Sequence, residues 1–380
     1  MNAKALLLAA SLVAASIPGI SMAAEVSTEP VGFNKVTALG NSDTRFSLPL
    51  HRPTVFAGAV LSVNNSVLTI QGGQTLSANQ LVYSAGVQSN VYYVTFTTGT
   101  RAGMYYTVVA NNGSTVADAS TITVDLNGDT LQGAGGVVAG DKFQVVPYWS
   151  LNTVFPGQVG ITKTAQINGV GALTRILFFD PNFAGVNPAA SAIYYYFEGT
   201  TFGGSGWRKV GGGFTAIKND DIILPDMYVV IRQEEVSTSL INTAVGLVPS
   251  GERKYIVGTL LPNADQDNVL AIDIPVPMSL AQSNLYQSGA FVGTSQITGS
   301  TGDKLLLFDD SLVLKNKAAS KIYYYFTGDT FGGPGWRMLG GGFTSVKNND
   351  VVFQPGSGFI IRKQATPTPT TTVWTIPAVY

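Results

Sequence analysis

A single histidine, His51, stands in a chain of 380 residues that contains no cysteine. That inventory excludes clustered His/Cys metal sites, and any nucleophile needing an imidazole base must use this one residue. Its neighbourhood, Leu50-His51-Arg52-Pro53, has no carboxylate nearer along the chain than Asp43. No G-x-S-x-G elbow occurs: Gly203-Gly204-Ser205-Gly206-Trp207 fails at its last position, and a second copy of that loop has Pro334 in place of Ser205. A structural or surface histidine is expected. The glycine loops Gly203–Gly206 and Gly332–Gly335 also lack the Lys-Ser/Thr and the helix start that hold a phosphate. Glycine there is expected to supply positive φ in a tight connection.

Carboxylates are the remaining catalytic route. A glycosidase needs two, one with its pKa raised by an apolar setting. The chain has six glutamates: Glu25, Glu29, Glu198, Glu234, Glu235 and Glu252. Glu198 follows an aromatic run directly, but its counterpart in the second copy is Thr327, with Asp329 two positions on. Asp220-Asp221 and Asp309-Asp310 read as turn residues that satisfy nearby backbone donors. Asp125-x-Asn127-x-Asp129 begins like a calcium loop, yet position 12 is Gly136 and position 6 is not glycine. Asp265-Gln-Asp267-Asn268 is equally incomplete. No catalytic residue, cofactor site or metal site is expected.

Aromatic rings are what remains with binding potential, and they sit in an internal repeat. Residues 193–221 and 322–350 match at 21 of 29 positions without a gap. The similarity extends upstream to Ile176 and Leu305 and downstream to Arg232 and Arg362. A module copied within one chain is usually a packing or display unit. Strand alternation puts Tyr194 and Tyr196 on one face and Ile193, Tyr195 and Phe197 on the other. With Trp207 across the hairpin, and with Tyr323, Tyr325 and Trp336 in the second copy, the set reads in two ways. It is either a stacking platform for sugar rings or a covered interface, and burial is the favoured reading. Arg208 and Arg337, each directly after the Trp, are expected to cap a turn or pair with an Asp.

The elements that must position these residues are strands. Past the N-terminus, Pro, Gly, Asn and Thr interrupt windows of helical length while short β-rich runs recur. The runs starting at Val67, Val91, Met104, Thr121 and Lys142 predict a meander of short antiparallel strands that closes an N-terminal β domain near residue 155. Asp43–Pro53 and Asp267–Pro277 share alternation and a proline end, which suits edge or inter-domain strands. Met1–Ala23 has one cation, Lys4, then an apolar run and small residues at a cleavage position, the layout of a secretory signal. Charged residues are 12 % of the chain, and 22 Lys and Arg oppose 23 Asp and Glu. Nucleic acid and anionic lipid are therefore poor partners.

The exported N-terminus, the segment SDTRFSLPLHRPTVFAGAV from Ser42 to Val60, the paired YYYF and GWR blocks, the IIR at Ile360–Arg362 and a Trp-containing tail form a recognisable combination. It resembles a family of uncharacterised exported proteins found mainly in Verrucomicrobia-type bacteria. That resemblance covers almost the whole mature chain and implies a Gram-negative, extracytoplasmic protein; the family brings no assigned activity. The expectation is an all-β, multi-domain chain of sandwich or small-barrel modules. Its parts are a signal (1–23), an N-terminal β domain (24–155), repeat modules 156–245 and 246–365, and a Thr/Pro spacer with a C-terminal strand (366–380). The expected function is a non-enzymatic structural or adhesive component of the periplasm, outer surface or extracellular matrix. It self-associates, with Val373–Tyr380 as the pairing strand, and has no membrane span in the mature chain. The alternatives are carbohydrate binding on the six aromatics, an outer-membrane barrel, or a carboxylate glycan hydrolase.

Overall fold

The computed structural model describes residues 29–379 apart from 73, 74, 115 and 117; the expected signal segment 1–23 lies outside the described residues. Two strands come first, β1 (Val31–Ala38) and β2 (Asp43–Phe46). Then β3 (Phe56–Asn64), β4 (Val67–Ile70), β5 (Tyr92–Phe96), β6 (Tyr105–Asn112), β7 (Thr121–Val124) and β8 (Lys142–Pro147) close a barrel. Their order is β3-β4-β7-β6-β5-β8, so the expected meander is only partly present: β5 pairs β6 and β6 pairs β7, but β8 returns between β5 and β3. The alternating pattern explains the closure, because residues such as Leu68, Ile70, Val94, Phe96, Ile122 and Phe143 all point into one apolar interior. A lipid-spanning barrel has the opposite arrangement, polar inside and apolar outside.

The chain continues through β9 (Trp149–Ser150), the one-turn helix α1 (Leu151–Val154), β10 (Leu173–Phe178), β11 (Ala192–Phe197), β12 (Gly206–Lys209), β13 (Ile222–Ile223), β14 (Val229–Glu234) and β15 (Leu240–Leu247). The second half has β16 (Arg253–Gly258), β17 (Gln266–Leu270), β18 (Met278–Ser279), β19 (Lys304–Leu307), β20 (Lys321–Phe326), β21 (Gly335–Met338), β22 (Val351–Phe353), β23 (Phe359–Lys363) and β24 (Thr371–Ile376). The two halves match strand for strand. Sheet β12-β11-β10-β14-β2 corresponds to β21-β20-β19-β23-β17, ribbon β1–β15 to β16–β24, and pair β9–β13 to β18–β22. No helix among the described residues is long and apolar enough to cross a membrane.

Sheet pairing divides the chain differently from the linear partition. Strands β1 and β2 pair with β15 and β14, so they belong to the first repeat module. The barrel is inserted between Pro53 and Trp149 of that module, where the second module passes from Pro277 directly to Met278. The C-terminal segment is likewise part of a module. Strand β24 pairs with β16 of the same chain, and Trp374 is buried among Tyr255, Phe353 and Phe359. It is therefore a core strand, not a spare one, because its alternating Trp374 and Ile376 fill the second module's interior.

The modules meet about a local two-fold. Asp43 accepts two bonds from Arg232 at 2.7 and 2.8 Å and one from the Asn316 backbone N–H at 2.7 Å. Asp267 accepts two from Arg362 at 2.7 and 2.9 Å and one from the Asn187 N–H at 2.7 Å. The Asp43 N–H donates to Leu314 O, and the Asp267 N–H to Gly185 O. The Ser47 N–H donates to Gly356 O, and the Ala271 N–H to Asp226 O. Each of these contacts is answered by its counterpart, the signature of an isologous interface here built within one chain. Both edge strands, β2 and β17, are thus covered by the opposite module, and the prolines of the two segments, Pro49, Pro53, Pro275 and Pro277, lie beyond the strands themselves. Symmetry fails at Gly358, the counterpart of Tyr228, where a β-carbon would collide with the Tyr228 ring.

Candidate functional site

Five of the six sequence-selected aromatics, Tyr194, Tyr196, Trp207, Tyr323 and Trp336, are buried, and Tyr325 is largely covered. Tyr194, Tyr196 and Trp207 pack with Phe155, Ile176 and Ile231 in the first module's core. Tyr323, Tyr325 and Trp336 do the same in the second, where Tyr325 stacks on Tyr286. The other face of the tyrosine strand is also closed: the Tyr195 hydroxyl donates to Ile167 O and Tyr324 to Ile297 O, under a loop crossing each sheet. The favoured reading, burial, is what the structure shows, and the alternative sugar-stacking platform finds both sides of the strand packed.

Arg208 and Arg337 are turn caps. Each is fully buried, and neither pairs with a carboxylate among the described residues. Arg208 donates to the carbonyls of Gly204, Phe214, Phe202 and Trp207 at 2.6, 3.0, 3.3 and 3.3 Å; Arg337 repeats this with Gly333, Phe343, Phe331 and Trp336. Positive φ at Phe202, Gly203 and Gly204 (54°, 86°, 88°) turns those carbonyls inward. The glycine loop thus surrounds a cation with acceptors, opposite in polarity to a phosphate cradle. Two of the acids expected to serve local backbone donors reach further. Asp221 accepts the Tyr194 hydroxyl at 2.6 Å, and Asp310 pairs with Arg45 of the other module at 2.9 Å. Asp129 of the calcium-like loop is held by Arg101 and by the Tyr106 hydroxyl.

The chemistry that sequence reasoning missed lies along the seams of the barrel. His51 belongs to the strap that enters the barrel: its backbone pairs with Leu247, and its Nδ1–H donates to Arg52 O at 2.7 Å. Burial holds its pKa below the ordinary histidine value, against that backbone bond. No hydroxyl or carboxylate is hydrogen-bonded to the ring among the described residues. The imidazole borders a small cavity of about 40 Å³ between barrel and modules, lined also by Glu29, Tyr93, Tyr105, Glu252, Arg253 and Asp273. Beside it, Asp226 bridges three bodies. Its carboxylate accepts the barrel's Tyr105 hydroxyl at 2.7 Å, and its carbonyl accepts the second module's Ala271 N–H at 2.9 Å. Burial pushes the Asp226 carboxyl up to about 6.

A larger recess of about 470 Å³ opens on the other barrel seam, lined by Tyr83 and Val91 of the barrel and Phe178, Tyr194, Lys218, Asp220, Asp221 and Ile222 of the first module. Phe178 and Tyr194 meet edge to face at 4.9 Å. The Tyr83 hydroxyl reaches Asp220 at 3.4 Å. A comparison of the two copies would have flagged both seams, since Asp226 stands against Gly356 and Asp220 against Asn349. The chain matches no family model, no curated protein and no solved structure.

Proposed function

We propose that this is an exported, non-catalytic structural or adhesive protein that associates with copies of itself. The observation carrying the reading is the outward face of the β1–β15 ribbon. Val31, Phe33, Ile241 and Val245 are 68, 76, 47 and 57 % exposed there. Phe33 and Val245 lie directly opposite, so the apolar surface is contiguous across both strands. An exposed apolar face beside unpaired strand edges is a site for adding another strand pair. The second module presents the corresponding ribbon with its own outward pair, Ile256 and Val373. Two such faces related by a local two-fold make one chain bivalent, and bivalent faces build open assemblies. Low charge suits this role, since little repulsion opposes contact between copies.

Light scattering of the mature chain over a concentration series tests the reading. The expected result is a mass that grows with concentration, is lowered in Phe33→Asp, and falls to the monomer value when Phe33→Asp is combined with Ile256→Asp. Because Phe33 and Ile256 are solvent-exposed, these variants leave the core intact. A strict monomer at all concentrations refutes the proposal.

A further inference from the structure

We propose that the open recess between the barrel and the first module binds a neutral saccharide, with Tyr83 as the stacking ring and Asp220 as the hydroxyl acceptor. Its volume, about 470 Å³, falls within the roughly 300–1,000 Å³ typical of small-molecule sites. It also lies where two folded bodies meet, a preferred place for such sites.

The two module copies separate what the recess needs from what the fold needs. The Tyr194–Asp221 bond at 2.6 Å has a counterpart in Tyr323–Asp350 at 2.8 Å, so it is a framework contact of both modules. Three features belong to the first copy alone. Phe178 replaces Leu307, Asp220 replaces Asn349, and the inserted barrel brings Tyr83 over the opening. An additional ring, an additional acid and an additional wall thus converge on one recess.

Their chemistry selects the ligand class. Tyr83 is 43 % exposed and presents a ring to the opening, as the apolar C–H face of a sugar requires. The Asp220 carboxylate is acceptor-only and has just the long 3.4 Å contact to Tyr83, so it has capacity for sugar hydroxyls. Lys218 adds a donor on the same lining. Its ammonium offsets one of the two carboxylates, and Asp221 is already engaged by the Tyr194 hydroxyl, so the lining sets a donor beside the Asp220 acceptor, as polyol hydroxyls require. The recess is separate from the β1–β15 ribbon, so binding and assembly are independent properties.

A glycan array carrying neutral, acidic and amino oligosaccharides, probed with the mature chain, is the test, followed by titration calorimetry with the best neutral tetrasaccharide. Binding of at least one neutral glycan is expected, weakened at least tenfold in both Tyr83→Ala and Asp220→Asn and unchanged in Asn349→Ala. Both substituted side chains are at the recess surface, and circular dichroism checks that folding is retained. Absence of neutral glycan binding overturns the proposal, as does binding insensitive to both substitutions. Binding of spermidine alone, lost in Asp220→Asn, also overturns it in favour of a cation site.

Discussion

Replacing Asp226 by Asn should stabilise the protein at neutral pH and do nothing in acid. Burial raises the carboxyl from 3.8 to about 6, with the nearby Asp273 adding to the rise and the Tyr105 hydrogen bond opposing it. About two pKa units at about 1.4 kcal/mol each give roughly 3 kcal/mol by which ionisation of Asp226 disfavours folding above pH 6. The carboxyl is not wholly sealed from water, so this is a ceiling. The penalty is present in full above the folded-state pKa. It shrinks as pH falls from about 6, because the folded protein then binds a proton that the unfolded chain does not, and it vanishes below about 3.8. Asparagine keeps an oxygen for the Tyr105 hydroxyl, now 2.7 Å away, without the charge. Urea unfolding of both proteins from pH 4 to pH 8, followed by near-ultraviolet circular dichroism, should show a stability gap of up to about 3 kcal/mol at pH 8 that closes by pH 4. His51 acts in the other direction, since its lowered pKa makes acid unfavourable for the folded state, but both proteins share that effect. A gap independent of pH, or a less stable variant at pH 8, would refute the assignment of Asp226 as a strained buried acid.

The local two-fold makes paired predictions. Asp43→Ala and Asp267→Ala should each destabilise the module interface by about 3 kcal/mol, because each strands an Arg and a backbone N–H. Asp43→Ala should cost more than Asp267→Ala, because the Arg232 side chain it strands is 17 % exposed where that of Arg362 is 27 % exposed; equilibrium unfolding reads both, and the reverse order would contradict the burial argument. Deleting residues 366–380 removes β24 with Trp374 from the second module's core. The expected outcome is loss of folded protein, seen as lost near-ultraviolet signal and rapid proteolysis, whereas a folded, non-assembling product would restore the tail to an adhesive role.

The all-β character and the repeat were legible because alternation and turn residues are local properties. Gly203 and Gly204 take the positive φ expected of that glycine loop, and Pro225-Asp226 falls between β13 and β14. Partnership was not legible. Nothing local in Asp43–Phe46 says that it pairs with Val229–Glu234 across an inserted barrel, and a run such as Thr371–Ile376 looks the same whether it joins its own core or another chain. The faint likeness of Asp43–Pro53 to Asp267–Pro277 carried the missing information, since both aspartates bind an Arg placed at the same position of the repeat. Burial of the tyrosine strands was the favoured reading, but the means by which the second face is closed was not legible, for a related reason. Alternation reports two faces, but not that a crossing loop closes the second.

The barrel is what makes the two halves unequal. A bare pair of modules about a two-fold would present each surface twice, and any site on one would recur on the other. Insertion between Pro53 and Trp149 lays the barrel against one module's Asp220–Ile222 turn and across the junction at Asp226, Arg253 and Asp273. Its grip is mixed: Tyr93, Val146 and Tyr148 pack against Ile222 and Leu224, and hydrogen bonds run from Tyr105 to Asp226, from the Lys254 ammonium to Thr100 O, and from Arg52 to Asn90 and Tyr148 O. Specific recognition is therefore expected at the barrel seams, where the two halves differ, and repetitive contact between copies at the exposed ribbon faces Phe33–Val245 and Ile256–Val373.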